Sequence, residues 1–232
     1  MSFAVDELPW TEVARILAED PRMIVPVGAL EQHGPHLPVG ANNVIARRAG
    51  RAVSERLGIV RAPTFSYGVT ASRGPFAGRA GLRRKTLQRA MNELLGGWEG
   101  HGVEHFVIIT AHRFEPHLEA LLMTSGPSTQ SVYDLYRIDV SDILDSDPEF
   151  EHAGELETSL MLHLAPDLVR LDRARDFLPQ GGALRRYTRR RVPTPPVASG
   201  GVIGAPTLAS AQKGARVFTR YVDMLCAAIR SR

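Results

Sequence analysis

His105-Phe106-Val107-Ile108-Ile109-Thr110-Ala111 is the clearest buried strand in the chain. It is a short, β-branched, apolar run, preceded by Gly100 and Gly102 and followed at once by polar residues. Outward from it, helical and strand periods alternate. Upstream, residues 83–99 have the apolar spacing of an amphipathic helix. Residues 59–65 read as a strand, 43–57 as a helix closed by Gly58, 23–29 as a buried strand and 11–19 as a helix. Downstream, 116–124 reads as a short helix, 131–140 as a strand, 157–165 as a helix and 208–230 as a long terminal helix. Strands separated by helices imply an α/β fold, a three-layer αβα sandwich with a mostly parallel central sheet. Residues 176–206 are rich in Pro, Gly and Arg and read as a long loop, a class that is functional, interfacial or mobile.

The chain has 232 residues, which suits one domain spanning 1–232. Its single cysteine, Cys226, excludes an intrachain disulfide and a multi-cysteine metal site, and is expected in the core. No apolar run approaches the roughly 20 residues of a membrane span, and MSFAVDELPW has no basic leader segment, so a cytoplasmic setting away from membranes is expected. The formal net charge is +3, and only Lys85 and Lys213 are lysines. Arginines crowd one stretch, from Arg170 through Arg185, Arg186, Arg189, Arg190 and Arg191. Such a run suits phosphate or nucleic acid, or else a solvated loop or an interface with an acidic neighbour. With no aromatic residues interleaved, nucleic acid is the less expected partner.

In open parallel sheets ligands sit beyond the carboxyl ends of the strands, so the residues following 23–29, 59–65 and 105–111 should converge. Those residues are polar. The first strand leads into Glu31-Gln32-His33-Gly34-Pro35-His36, which packs carboxylate and imidazole ligand types into one short loop. In extended backbone Glu31 and His33 point to the same side. The third strand leads into His112-Arg113-Phe114-Glu115-Pro116-His117, where Glu115 and His117 are spare ligand types. A later segment, Glu151-His152-Ala153-Gly154-Glu155-Leu156-Glu157, offers His152 for proton transfer and Glu157 as a ligand at a helix start, where the dipole favours a carboxylate.

These blocks together resemble the creatininase family of creatinine amidohydrolase-like metal-dependent hydrolases. VPVGALEQHGPHLPVG (25–40) matches the family's opening signature nearly residue for residue, and HAGELETSLML (152–162) matches its late motif. Tyr67-Gly68 and GVIGAPTLASAQKGARVF (201–218) fit the segments between and after, with Ala205 in place of an aspartate. The resemblance implies an αβα fold, a site for one or two divalent ions that activates water against an amide or formamide carbon, and a homo-oligomer, trimer or hexamer. It implies Glu31, His33, His112 and Glu157 as metal ligands, Glu157 and His152 as catalytic groups, and His152 as the proton-transfer residue beside the substrate.

The chain departs from the family at positions that set charge. Asn42 stands where the family has a metal-bridging aspartate, Arg113 and Phe114 replace small glycines, and Arg73 and Arg79 lie where the family has a glutamate and a histidine. Lost negative charge and gained arginines disfavour a second cation. One divalent ion (Zn, Mn or Fe) at most is expected, or none, held by Glu31, His112 and Asn42 or by His33 and Glu157. Arg73, Arg79, Arg113 and His36 are the expected contacts to a small-molecule substrate, with the arginines holding an anionic group. The expected reaction is hydrolysis of a small amide, cyclic amide or formamide. The alternative is a diverged member without hydrolase activity, a binding or scaffold subunit or a catalyst of another reaction such as amide formation.

Overall fold

A computed structural model of the chain describes residues 3–71, 75–179 and 183–231. Its centre is a four-stranded parallel sheet in the order β2-β1-β3-β4. The strands are β1 (Arg22–Val27), β2 (Val60–Arg61), β3 (His105–Thr110) and β4 (Thr129–Asp134). The helices are α1 (Trp10–Glu19), α2 (Ala41–Leu57), α3 (Arg84–Glu99), α4 (Glu115–Leu122), α5 (Glu155–Leu164), the single turn α6 (Leu184–Tyr187) and α7 (Ala211–Arg230).

Alternation along the strands builds the three layers. Ile24, Val107 and Ile109 point to the face covered by α2, α5 and α7, where they pack with Ile45, Leu160 and Tyr221. Met23, Val25, Phe106 and Ile108 point to the opposite face, against Leu17 of α1, Leu87 and Met91 of α3 and Leu121 of α4. Successive strand side chains take opposite faces, so a strand buried on both sides must be apolar throughout, as β1 and β3 are. Cys226 is buried among the first set.

Two expected strands are shorter than the sequence suggests. The 59–65 segment pairs only over Val60–Arg61, with one isolated bridge from Phe65 to Val27, because Pro63 lies within it and lacks a donor for the ladder. The 131–140 segment leaves the sheet at Asp134, whose carboxylate accepts from the Tyr136 N–H and opens a 3-10 turn.

The placement of α5 depends on α7. A Cβ at Gly214 would stand 1.9 Å from the Ser159 carbonyl oxygen, so the two helices touch backbone to side-chain-free backbone. Gly214→Ala is expected to destabilise the protein by about 1–3 kcal/mol, the usual cost of overpacking. A urea titration that shows no fall in stability would contradict this packing.

Candidate metal centre and active site

The strand order reverses between β1 and β3: the chain leaves β1 for β2 on one side and comes back to β3 on the other. The crevice outside the carboxyl ends of the strands at such a point is the usual ligand site of open α/β sheets. Here the loop after β1 carries Glu31, Gln32, His33 and His36, the loop after β3 carries His112 and Arg113, and the start of α5 carries Glu157; all are buried.

Glu157 lies in the first turn of α5, and its Oε2 accepts from the Ala153 N–H at 2.6 Å. Ala153 holds the left-handed backbone (φ 52) that directs this N–H inward. Glu157 Oε1 has no hydrogen-bond partner and faces His33 Nε2, equally without one, at 3.8 Å. His33 donates from Nδ1 to the Glu31 carbonyl at 2.9 Å, which leaves the Nε2 lone pair turned to Glu157. The 3.8 Å gap is too long for a hydrogen bond. It is close to the span of two ligands on one ion, about 3–4 Å for metal–ligand bonds of about 2.0–2.2 Å. Burial alone would lower His33, but the Glu157 and Glu31 charges outweigh it and lift the imidazole to about 9. Burial pushes Glu157 up, and the His33 charge overrides this to hold it well below the carboxylate range. This pocket therefore demands a cation, as a proton on His33 or as a metal ion.

Glu31, His33 and His152 each offer a ligand atom within 4.8 Å of the others. Glu31 is lifted to about 7, mainly by burial and against the pull of His33. His152 Nε2 lies 2.8 Å from the Gln32 carbonyl oxygen and 3.0 Å from Gln32 Nε2. Donation to the carbonyl places the ring proton on Nε2 and leaves Nδ1 basic. Gln32 is fixed in turn by donating to the Gly201 carbonyl at 3.0 Å, an approach that a Cβ at Gly201 (φ 91) would block. The His33 and His152 rings stack with centroids 4.8 Å apart.

The other half of the site is closed more tightly. His112 Nε2 donates to the Val69 carbonyl at 2.8 Å, and its Nδ1 accepts from Asn42 Nδ2 at 2.9 Å. Glu31 Oε2 stands 3.3 Å from the same Nδ1. Burial keeps His112 neutral, at about 3. Asn42 Oδ1 is buried without a partner, and Asn42, not Asn43, faces the site. Unpaired lone pairs on His33, Glu157 and Asn42, with Glu31 beside them, form a donor set of nitrogen and oxygen that suits a divalent ion.

The remaining expected residues take varied places. Arg113 is buried with its guanidinium 4.8 Å over the Tyr136 ring, and Nη1 donates to the Glu149 carbonyl at 2.9 Å. Its charge reaches Glu157 and Glu151. Arg79 is half-buried beside Glu31, because the Ala80 N–H donates to the Leu30 carbonyl, and its charge lowers Glu31. His36 Nε2 pairs with Thr158 Oγ1 at 2.9 Å and so ties the first loop to α5. Arg73 lies outside the described residues. His117 uses both nitrogens, accepting from the Val69 N–H at 3.1 Å and donating to Thr110 Oγ1 at 2.9 Å. Glu115 faces the basic loop instead of the metal-type cluster.

Sequence reasoning assigned no role to Gln32, Tyr136 or Glu151. Gln32 sits inside the opening motif and was readable there. Glu151 is buried and lifted to about 8, chiefly by desolvation, with Oε2 unpartnered. Nothing in the sequence separates it from Glu155, which accepts from the Asp145 and Ser146 N–H groups and pairs with Lys213.

Residues 6–229 match the family model described as creatininase, creatinine amidohydrolase. The chain belongs to the creatininase family. It is 31% identical to a mycofactocin precursor peptide peptidase of Mycobacterium ulcerans, over 88% of this chain and 82% of that one. It is 28% identical to a creatinine amidohydrolase of Pseudomonas putida, over 99% and 96%. Among solved structures, a mutant creatininase of Zn–Zn type aligns with a TM-score of 0.81 at 28% identity, and a manganese creatininase with 0.80 at 27%; each covers 100% of this chain and 98% of its own. No helix among the described residues is long and apolar enough to cross a membrane.

A divalent ion in this donor set should stabilise the fold. At a free concentration of 100 times Kd the gain is about 2.7 kcal/mol, and the rise in Tm is about 5–10 °C for a chain of this size. Chelator-treated protein titrated with Zn or Mn is expected to show that rise, and Glu157→Gln, which keeps the side-chain volume, is expected to abolish most of it. An equal rise in the variant would remove Glu157 from the ligand set.

Proposed function

We propose that this creatininase-family chain is a metal-dependent hydrolase of carbon–nitrogen bonds, acting on a small amide, cyclic amide or formamide that carries an anionic group. The observation that carries this reading is the pair of buried, unpartnered lone pairs on His33 and Glu157, facing each other beside Glu31 at the carboxyl edge of the sheet. Glu31, His33 and Glu157 would hold the ion, and His112 and Asn42 lie beside Glu31 in the adjoining half of the crevice. Bound there, a divalent ion lowers the pKa of a water molecule and polarises the amide carbonyl.

The chain's own groups handle protons and positioning. His152, with its Nε2 proton held by the Gln32 carbonyl, keeps Nδ1 free to accept a proton and pass it to the leaving nitrogen. Its imidazole is held neutral, at about 4, mainly by burial and then by the neighbouring His33 charge, so near neutral pH it begins the cycle as a base. Arg79 brings positive charge to Glu31 and Arg113 to Glu157, and the two guanidinium groups favour a substrate carboxylate.

Asn42 supports one ion, not two. Its amide nitrogen donates into the His112 lone pair that a second ion would need, and a neutral amide oxygen bridges cations poorly. The same amide favours a second reading, in which the pocket has lost hydrolysis and binds its ligand or forms an amide. Elemental analysis of protein purified without chelator separates the two. The hydrolase reading expects about one Zn, Mn or Fe per chain, turnover of amides in a substrate panel, and a loss of at least about 100-fold in kcat for His152→Ala, the usual scale of general acid–base catalysis. Absence of metal even after soaking, with no turnover, would favour the second reading. Asn42→Asp is expected to raise the bound metal toward two per chain, and an unchanged stoichiometry would show that Asn42 does not set the count.

A further inference from the structure

We propose that the arginine loop at the rim of the site forms a groove that binds an acidic peptide segment. As a binding site it stands independently of hydrolysis; only its use for substrate rests on the hydrolase reading. Arg186, Arg189 and Arg190 are exposed and line a groove of about 680 Å³ whose other wall is Glu115, Pro116 and Glu119. Among the described residues none of the three arginines has a carboxylate within ion-pair distance, unlike Arg15, Arg51, Arg56 and Arg220, so three unpaired guanidinium groups share one groove.

The loop is built into place. Arg191 pairs with the buried Asp134 at the carboxyl end of β4, and the Arg185 guanidinium lies 4.8 Å over the Phe150 ring, beside Glu151 and His152. Tyr187 packs against Phe177, whose backbone pairs with Gly204, next to the Ile203 that pairs with His152. Arg190 and Arg191 both hold left-handed backbone (φ 52), which side-chain-bearing residues adopt only when the surroundings impose it. These ties fix the free arginines at the same sheet edge as His112 and His152. Planar guanidinium groups bind carboxylates bidentately.

The groove's own chemistry selects the occupant. Glu119 is itself within 3.8 Å of Arg84, and with Glu115 it breaks up the positive charge of the groove, which suits single carboxylates spaced along a peptide better than the continuous charge of a phosphate backbone. No aromatic side chain is among the described residues that line the groove, so it offers no stacking platform for bases.

Fluorescence anisotropy with a labelled decapeptide of alternating Glu and Ala tests this. The peptide is expected to bind the full chain in a salt-sensitive manner, and the same peptide with Gln for Glu is not. Arg186→Gln/Arg189→Gln/Arg190→Gln is expected to weaken binding at least about tenfold, and Glu115→Gln/Glu119→Gln to tighten it. Absence of binding, an unchanged affinity in the triple variant, or tighter binding of a twelve-nucleotide thymidine strand lost in that variant would each overturn the proposal. If the triple variant fails to fold, the double variant decides: unchanged or weaker peptide binding overturns it. Because the readout is binding, its failure is distinct from a failure to hydrolyse amides.

Discussion

An ionised carboxylate buried away from water needs a positive partner, and Glu157 finds it chiefly at His33. Removing one member of a buried charge pair costs about 3–5 kcal/mol, so the first loop and α5 are held to one another by this requirement. Several features serve it. The His33 Nδ1–H is fixed on the Glu31 carbonyl, so the ring presents Nε2 to Glu157. The Ala153 backbone, left-handed at a cost of about 1–2 kcal/mol, turns its N–H onto the other carboxylate oxygen. His36 to Thr158 adds a second tie between the same elements, and Gly214 lets α7 press α5 against the sheet. A proton on His33 satisfies the pair in the metal-free state, and an ion can take its place without moving the ligands.

The two halves of the crevice differ in how far they are satisfied. Around His112 every ring nitrogen has a partner, and the donor into Nδ1 is an amide that cannot carry charge. Around His33 and Glu157 the lone pairs stay open. With an aspartate at position 42 the first half would gain an anion and lose a donor, and both changes would draw in a cation. The asparagine instead lets the amide and imidazole satisfy each other. This half of the crevice is therefore a neutral hydrogen-bonded wall.

Much of this was legible in the sequence, for identifiable reasons. The runs at 23–29 and 105–111 announced β1 and β3 because a strand buried on both faces has no polar positions, and the helical periods between them fixed the layers. The convergence of the loops after β1 and β3 followed from the topology. The strand at 59–65 was overread because apolar content says nothing of the missing donor at Pro63. That at 131–140 was overread because the Asp134 side chain competes with the ladder. Within the site, residue types were readable and partners were not. Asn42 and Asn43 are equivalent on paper, yet only the first meets His112. His112 and His117 flank one short segment, yet His117 is closed by Val69 and Thr110. Glu151, Glu155 and Glu157 share one helix start, and only long-range contacts such as Lys213 to Glu155 tell them apart.

The arginines complete the electrostatic argument, because their distribution decides which charge is left for a ligand. Arg113 points inward, over Tyr136, and its charge reaches two buried glutamates. Its charge offsets part of the negative charge of Glu151 and Glu157. Arg79 lies against Glu31 and is drawn on in the same way. Arg191 is tied to Asp134. Arg185, Arg186, Arg189 and Arg190 have no carboxylate partner among the described residues; Arg185 lies over the Phe150 ring, and the other three line the groove outside the crevice. The same excess of arginine over lysine thus acts in two places, meeting buried carboxylates inside the crevice and presenting unpaired guanidinium groups in the groove outside it.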